Sequence, residues 1–372
     1  MKKLLLCTLA LFAFVGLTGC GSEKQLTAEE AKTELKAVAT NTLKASNDAV
    51  SGSIKLGFSA NAQINNLKGY KDVSGTKTAI FTVNQAKADA KLNASLSTST
   101  DFSNKIVKLG LKADGAVKAS ADVAGMDKMS IDYKADAKAD VYVKGGGSYV
   151  NKWDETEEGS NAYIDLSANL PKELAEKAGV DQAYALKANA FVEDLDIILP
   201  ADTEVDEMEF NFDSFINDWT IFKKKGNKII ADCSDLKAFK IDGEAIAVQE
   251  ELKKYGLTLS VSKFEITVDN EQRITNFDFQ MGLKGKVDFA KLELKKEDFE
   301  DMAESLEGIL GSAAALFNNI DAISGTLSVD LKLTLNAKLN YSSETITIPS
   351  ELTAIEQVPF YQLFSNNNNQ VQ

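Results

Sequence analysis

Apolar and polar residues alternate along most of this chain, beginning near residue 53. The alternating runs span 54–64, 86–96, 107–123, 129–143, 184–192, 277–289 and 327–341. A period of two is typical of β-strands with one dry and one solvated face, so the pattern predicts antiparallel strands. Runs of up to about fifteen residues at roughly 3.3 Å each give strands near 50 Å, which predicts a large curved sheet.

Alanine dominates several of the predicted dry faces. It occupies positions 86, 88 and 90 in one run and 135, 137 and 139 in another. Alanine is too small to fill the roughly 10 Å between two face-packed sheets. We therefore expect either that a helix backbone approaches this face closely or that a cavity is left open there.

Two glycine-containing turns and one bulge are predicted among the strands. The Gly145-Gly146-Gly147 sequence predicts a hairpin turn leading into a strand at 148–153. Residues 223–227, Lys-Lys-Lys-Gly-Asn, predict a second hairpin turn. A one-residue slip in the alternation near Lys263 indicates a β-bulge.

Four segments have helical signals. Thr27 and Glu30 form a capping box, which predicts a helix from 27 to about 46. Its apolar stripe of small residues suits close packing on a sheet. A short helix is predicted between Pro171 and Gly179, a longer one over 242–255, and an interrupted one over 297–320.

The predicted strands are not separated by a Pro- or Gly-rich linker. We therefore predict an α+β, β-dominated fold in which residues 27–349 form a single large antiparallel-sheet domain with an N-terminal helix and several inserted helices. After Pro349 we expect order to fade, so that residues 350–372 form a polar C-terminal tail.

The amino terminus has the features of an export signal. Lys2 and Lys3 precede an apolar run of twelve residues, 4–15, which is too short to span a bilayer. Residues 17–20, Leu17-Thr18-Gly19-Cys20, resemble the bacterial lipobox. That resemblance implies signal-peptidase recognition of Leu17, Thr18 and Gly19, removal of residues 1–19, and lipidation of Cys20.

A lipidated Cys20 would attach the protein to a membrane. Two or more acyl chains give stable anchoring, whereas one chain binds only marginally. Residues 20–26 then form the lipidated cysteine and a short tether that reaches about 20 Å, so the folded part lies close to the bilayer. We expect a cell-membrane location on the extracytoplasmic face.

Composition narrows the function and the source. The chain has 41 Lys and Arg residues, of which only Arg273 is arginine, against 55 Asp and Glu, and a net charge of −14, which argues against nucleic acid as a partner. The excess of Lys over Arg indicates an AT-rich genome and a low-GC Gram-positive source. There is no histidine, which removes Ser-His-Asp and Cys-His catalysis and histidine zinc sites. We predict no enzymatic activity, no metal site and no cofactor.

One acidic region contains an aromatic stripe. Between Lys187 and Lys223 there are ten acidic residues and no basic one, but the spacing lacks the glycine and the closing Glu of a calcium loop, which favours a solvated loop. Phe212, Phe215, Trp219 and Phe222 recur there every three or four residues. Such a stripe is more often core than binding site, yet these four are our candidates for lining an apolar cavity.

The order of lipobox, short tether, helix and long strands resembles the LolA/LppX-like bacterial lipoproteins. That resemblance implies a curved half-barrel that holds helices and an apolar cavity. The leading functional hypothesis is a membrane-anchored protein that binds or carries a lipid or another apolar molecule. The alternative is a surface scaffold or interaction protein without a ligand cavity; the oligomeric state is not predicted.

Overall fold

The computed structural model describes residues 24–45, 51–150, 155–179, 181–193, 221–232, 239–241, 244–246, 248–292 and 319–363. Strands dominate this part of the chain. They are β1 (Lys24–Leu26), β2 (Ser51–Val73), β3 (Thr76–Asp101), β4 (Ile106–Val123), β5 (Met129–Val150), β6 (Thr156–Asn169), β7 (Ala183–Glu193), β8 (Ile221–Lys225), β9 (Lys228–Asp232), β10 (Phe239–Ile241), β11 (Glu244–Ile246), β12 (Leu257–Val268), β13 (Ile274–Asp288), β14 (Ala322–Asn340) and β15 (Gln357–Pro359).

Thirteen of these strands form one large, curved, open sheet in the order β1-β8-β9-β12-β13-β14-β2-β3-β4-β5-β6-β7-β15. Its neighbours are antiparallel except β15, which lies parallel to β7. The two remaining strands, β10 and β11, pair with each other. The predicted β-dominated fold with a large curved antiparallel sheet is therefore confirmed.

The strands are longer than the apolar alternation predicts. β3 alone has 26 residues, about 85 Å at 3.3 Å per residue. Polar residues at its two ends, such as Thr78 and Thr98, still pair with β2. Every residue but proline offers a backbone donor and acceptor, so the ladder continues where the side-chain pattern stops.

The described α-helices are few and short apart from the first. They are α1 (Ala28–Lys44), α2 (Lys172–Ala178), α3 (Val248–Lys254) and α4 (Ser350–Thr353). Gly179 ends α2 in the left-handed conformation, at φ 68°. Within the described residues, no helix is both long and apolar enough to cross a bilayer.

Helix α1 begins at the predicted capping box. The Thr27 N–H donates to Glu30 Oε2 at 2.9 Å, and the Glu30 N–H donates to Thr27 Oγ1 at 3.2 Å. The predicted stripe is buried: Leu35 and Val38 are at most 1% exposed. It packs on strands β8, β9, β12, β13 and β14 to form the main described core, where small residues such as Ala31 let the helix lie close to the sheet.

The predicted hairpin turn at Gly145-Gly146-Gly147 is wrong. β5 runs through these glycines and stays paired with β6, with a register shift between Gly145 and Gly147 that marks a bulge. Gly146 adopts a φ of 73°, which a side chain would strain. The glycines therefore bend one long strand and do not end it.

Of the other local predictions, the second hairpin turn and the bulge are confirmed, and one helix is shorter than predicted. The hairpin turn at 223–227 is confirmed, since it joins β8 to β9, and the bulge near Lys263 is confirmed between Val261 and Lys263. The predicted helix at 242–255 is shorter, because residues 244–246 pair as strand β11 and α3 starts only at Val248. The predicted helix at 297–320 lies outside the described residues except at its last two positions.

The prediction that order fades after Pro349 is wrong for residues 350–363. Helix α4 and strand β15 lie in this segment, and Leu352 is only 1% exposed. Leu352 packs with Tyr142 and Tyr163 of the sheet, against which Ile346, Ile348 and Ile355 also lie. This apolar contact, which the composition of the tail does not reveal, orders the segment.

Candidate apolar binding surface

The two faces of the sheet differ sharply in chemistry. We call the face on which α1 packs the apolar face and the opposite one the charged face. Register aligns apolar residues of neighbouring strands into transverse rows: Phe58 lies opposite both Leu333 and Leu92, and Leu92 lies opposite Gly115. Because opposite residues in an antiparallel pair point to the same side, each row lies on one face.

The middle of the apolar face is exposed. Large side chains there include Leu92 at 44%, Leu111 at 45% and Phe58 at 38% exposed. We define the apolar band as the exposed part of this face on β2–β5. Its large residues are Leu56, Phe58, Leu92, Leu96, Leu111, Val117, Met129 and Ile131. Its small residues are Ala60, Ala62, Ala88, Ala90, Ala94, Ala113, Gly115, Ala119, Ala121, Ala135 and Ala137.

The apolar band is large for a free protein surface. It runs about 33 Å along the strands and spans four strands at about 4.8 Å each, a footprint of roughly 600 Å². The largest apolar patch on a typical monomer is about 300–600 Å², and patches of that size are often interaction sites. At positions 54–64, 86–96, 111–121 and 129–139, Tyr133 has the only ionisable side chain on this face.

Described residues cover the apolar face in two places next to the band, at β13–β14 and at the far end of β2. Helix α1 buries Phe277 and Ala337 at the β13–β14 side. At the far end of β2, Leu67, Ile320 and Ile323 form a second buried cluster. Gly69 makes room for it, since a Cβ there would lie within 2.8 Å of side-chain atoms of both Phe81 and Ile320. The band is therefore an open stretch between two packed regions.

The charged face carries ladders of paired polar groups. Lys284 contacts Asp330 at 3.3 Å, and Lys118 contacts Asp132 at 2.8 Å. The hydrogen bond from the Lys118 ammonium holds the pKa of Asp132 below its ordinary value. These groups are more than half exposed, so they add solubility and little stability.

An open depression of about 350 Å³ also lies on the charged face, bordered by Lys87, Asp89, Lys118, Ser120, Ser130 and Asp132. Its two lysines and two aspartates balance in charge, and Lys118 pairs with Asp132 at 2.8 Å. The described residues also contain no group of three or more His, Cys, Asp or Glu that could hold a metal ion. Of these two surfaces, the apolar band is therefore the stronger candidate for a binding site.

The predicted site residues are mostly outside the described part of the chain. This holds for Leu17, Thr18, Gly19 and Cys20, and for Phe212, Phe215 and Trp219. Phe222 is described: it lies on β8, is 4% exposed, and meets Phe264 edge-on with ring centroids 6.3 Å apart. Phe222 thus belongs to the core under α1 and does not line the apolar band.

Sequence reasoning did not identify the residues of the band. The signal was present in the alanine-rich faces, which predicted a close helix or an open space. Among the described residues, α1 packs over β8, β9, β12, β13 and β14, whereas Leu92 and Val117 remain 44% and 41% exposed. Which large residues stay exposed depends on that placement, and a periodic pattern cannot supply it.

No family model and no curated protein sequence matches this chain. Among solved structures, it is similar to the Salmonella SPI-1 injectisome secretin InvG at 6% identity and a TM-score of 0.17, with 82% of this chain and 64% of that chain covered. A FadL homologue from Pseudomonas aeruginosa gives 9% identity, a TM-score of 0.16, and coverage of 82% and 94%.

The outer membrane protein OprG from Pseudomonas aeruginosa gives 8% identity, a TM-score of 0.15, and coverage of 79% and 98%. The chain spans about two thirds of the length of the two secretin structures it matches, 64% and 66%. Scores this low do not establish a shared fold.

Proposed function

We propose that this chain is a membrane-anchored, extracytoplasmic bacterial lipoprotein whose apolar band binds a lipid or another apolar molecule. The observation that carries the proposal is the band itself, a footprint of roughly 600 Å² with large side chains 38–55% exposed. Exposure of leucine, phenylalanine and valine side chains to water is unfavourable, and a bound apolar ligand would remove these side chains from water.

The anchor and the band support each other in this proposal. A lipidated Cys20 lies only four residues before β1, the first strand of the sheet. At about 3.5 Å per extended residue, β1 would stand within roughly 15 Å of the membrane surface. A half-barrel like that of the LolA/LppX-like lipoproteins would then present its apolar face close to a source of lipid.

Ligand binding is tested on a soluble Cys20→Ala chain purified without detergent. Native mass spectrometry should find a co-purifying apolar molecule, and an environment-sensitive apolar dye should bind and be displaced by added lipid. Leu92→Lys should weaken dye binding about tenfold or more, because it replaces about 1.5 kcal/mol of apolar burial with a charge that must be desolvated.

Two matched variants sharpen the test. Val73→Lys adds the same charge at an apolar residue that is 55% exposed at the β2–β3 turn, outside the band, and should leave binding unchanged. Gly115→Leu should keep the fold, since a Cβ there meets no atom closer than 3.6 Å, and should change dye affinity by filling the band.

Absence of both a co-purifying molecule and dye binding would contradict the proposal and favour the scaffold alternative. Equal effects of the Leu92 and Val73 substitutions would also contradict it, because binding would then not be located on the band.

A further inference from the structure

The apolar face is more enclosed on one side of the band than on the other. Val117 on β4 and Ile131 on β5 are 41% and 43% exposed. Toward α1, Leu331 on β14 and Leu283 on β13 are half-buried. A molecule that lies across the strands therefore has its more enclosed end near β13 and its more solvated end near β5.

One transverse row joins these two sides. It runs from Leu283 on β13 to Tyr133 on β5 through Leu331, Ala60, Ala90 and Val117. Five strand spacings of about 4.8 Å give this row a length of about 24 Å. One acyl chain spans half of the roughly 30 Å hydrocarbon core of a bilayer, so the row is long enough for one chain and its head group.

Small side chains form the middle of this row and of the next one. The four residues there are all alanines of β2 and β3, namely Ala60, Ala62, Ala88 and Ala90. Phe58 and Leu92, which are 38% and 44% exposed, lie beside them in the neighbouring row. A linear chain over the alanines therefore contacts larger side chains along its length.

Tyr133 gives the β5 end of the row a hydrogen-bonding group. Its hydroxyl has no hydrogen-bond partner among the described residues, and a tyrosine hydroxyl both donates and accepts. A polar head group at this end gains a hydrogen bond. The same group at the other end would lie among Leu283 and Leu331, where the loss of its water is costly.

Lys134, the next residue, adds a positive charge at this end. It is exposed and forms no ion pair within the described part of the chain. The carboxylates on either side of it have other partners. Asp132 lies 2.8 Å from Lys118, and Asp136 accepts a hydrogen bond from Asn169 at 2.9 Å.

The Lys134 side chain extends from the charged face, but no described strand separates it from the apolar face. β6 pairs with β5 only from Asp136 onward. The flexible four-carbon stem of a lysine lets its ammonium bend around this end of the row. Charge complementarity then favours an anionic head group beside Tyr133.

We propose that the ligand of the apolar band is a single-chain anionic amphiphile whose chain lies along this row and whose head group meets Tyr133 and Lys134. This inference rests on the proposed function and names its ligand class. The Tyr133 hydroxyl donates to a carboxylate or phosphate oxygen of the ligand, and the Lys134 ammonium supplies the opposite charge. The chain covers the alanines and ends near Leu283.

Three compounds with the same chain test the proposal on the Cys20→Ala protein. Laurate, dodecyl phosphate and dodecanol each compete with the apolar dye at concentrations below micelle formation. Laurate or dodecyl phosphate should bind more tightly than dodecanol, and the tighter of these two identifies the head group as a carboxylate or a phosphate.

Two substitutions place the head group. Tyr133→Phe should weaken binding of the anionic compound about tenfold, because it removes a hydrogen bond to a charged group. Lys134→Gln should weaken it about two- to fivefold and leave dodecanol binding unchanged.

Two matched variants are the controls. Lys91→Gln removes a lysine of the charged face that β2 and β4 flank on both sides, so its ammonium does not reach the apolar face. Tyr184→Phe removes the hydroxyl of a tyrosine that is 47% exposed between two alanines. Both variants should bind all three compounds as the parent does.

The outcomes separate this inference from the proposed function. Equal affinities for the three compounds, with no effect of Lys134→Gln, would overturn the anionic head group and leave an apolar binding surface in place. Equal effects of Lys134→Gln and Lys91→Gln would overturn its position. Failure of the dye and of all three compounds to bind would overturn both proposals.

Discussion

Arg273, the only arginine in the chain, stabilises a turn of the sheet. Its Nε donates to Asp269 Oδ2 at 2.7 Å, one of its terminal nitrogens lies 2.8 Å from Glu271 Oε2, and its guanidinium lies 4.3 Å from the Tyr341 ring centroid. The sequence shows that this residue is the only arginine, but it does not predict where in the fold Arg273 lies or which residues it contacts. Its partners show why a planar, forked cation is used at the β12–β13 connection.

We predict that Arg273→Ala lowers the free energy of unfolding by about 1.5–3 kcal/mol, because it removes charge-assisted hydrogen bonds and a cation–π contact. Arg273→Lys should recover only part of this, since an ammonium cannot make the forked contact. Urea unfolding measures both. Lys284→Ala, which removes an exposed pair with Asp330, is the control and should cost about 0–1 kcal/mol. Equal losses for the three variants would contradict the argument.

At the scale of elements, the start of α1 is predictable from two residues of the sequence. Its capping box needs only two residues three positions apart, so local chemistry suffices. We predict that Thr27→Ala destabilises the protein by about 1 kcal/mol by removing the acceptor for the Glu30 N–H. The midpoint of urea unfolding monitors this loss, with exposed Thr76→Ala as a near-neutral control.

The pH dependence of stability should reveal the contribution of Glu30 in the same capping box. The hydrogen bond from the Thr27 N–H, followed by that from Lys24, lowers the pKa of Glu30 to about 2 from its ordinary value of 4.5. A carboxyl whose folded pKa is lowered stabilises the protein above its ordinary pKa, and this contribution is lost as the pH falls toward 2.

Glu30→Gln should therefore remove part of the decline in stability between pH 4.5 and 2 that the parent chain shows. Unfolding midpoints across this range measure the difference. Parallel curves for Glu30→Gln and the parent chain would show that Glu30 does not titrate in this way.

The long strands show a different limit of sequence reasoning. The sequence Gly145-Gly146-Gly147 was interpreted as a hairpin turn, because consecutive glycines commonly end a strand. The pairing of β5 with β6 on both sides of the glycines decided otherwise, and it depends on the next strand, residues 156–169. A bulge and a turn use the same residues, so only the partner strand distinguishes them.

At the scale of the whole molecule, the C-terminal segment closes part of the charged face. Asp101, which is 2% exposed, accepts hydrogen bonds from the Asn104 side chain at 2.8 Å and from the Ile346 N–H at 3.0 Å, and these bonds lower the pKa of its carboxyl. Asn189 Nδ2 donates to the Ile355 carbonyl at 3.0 Å. Residues more than 160 positions apart therefore hold this segment on the sheet.

We predict that Leu352→Ala destabilises the protein by about 2–5 kcal/mol, as expected for a buried leucine in a packed cluster. Glu351→Ala, at an exposed neighbour 3.8 Å from Lys187, should change stability by less than about 1 kcal/mol. Thermal or urea unfolding distinguishes the two. No loss for Leu352→Ala would mean that residues 350–363 do not contribute to folding.

The sequence by itself determined the type of most elements, the face on which each strand carries its apolar residues, and the start of α1. These features depend on neighbours within a few positions, through periodicity and capping. Only the tertiary structure decided the register that aligns Phe58, Leu92 and Gly115, the bulge in β5, and the docking of Leu352. It also decided that the middle of the apolar face stays exposed, because coverage depends on contacts between residues distant in the chain.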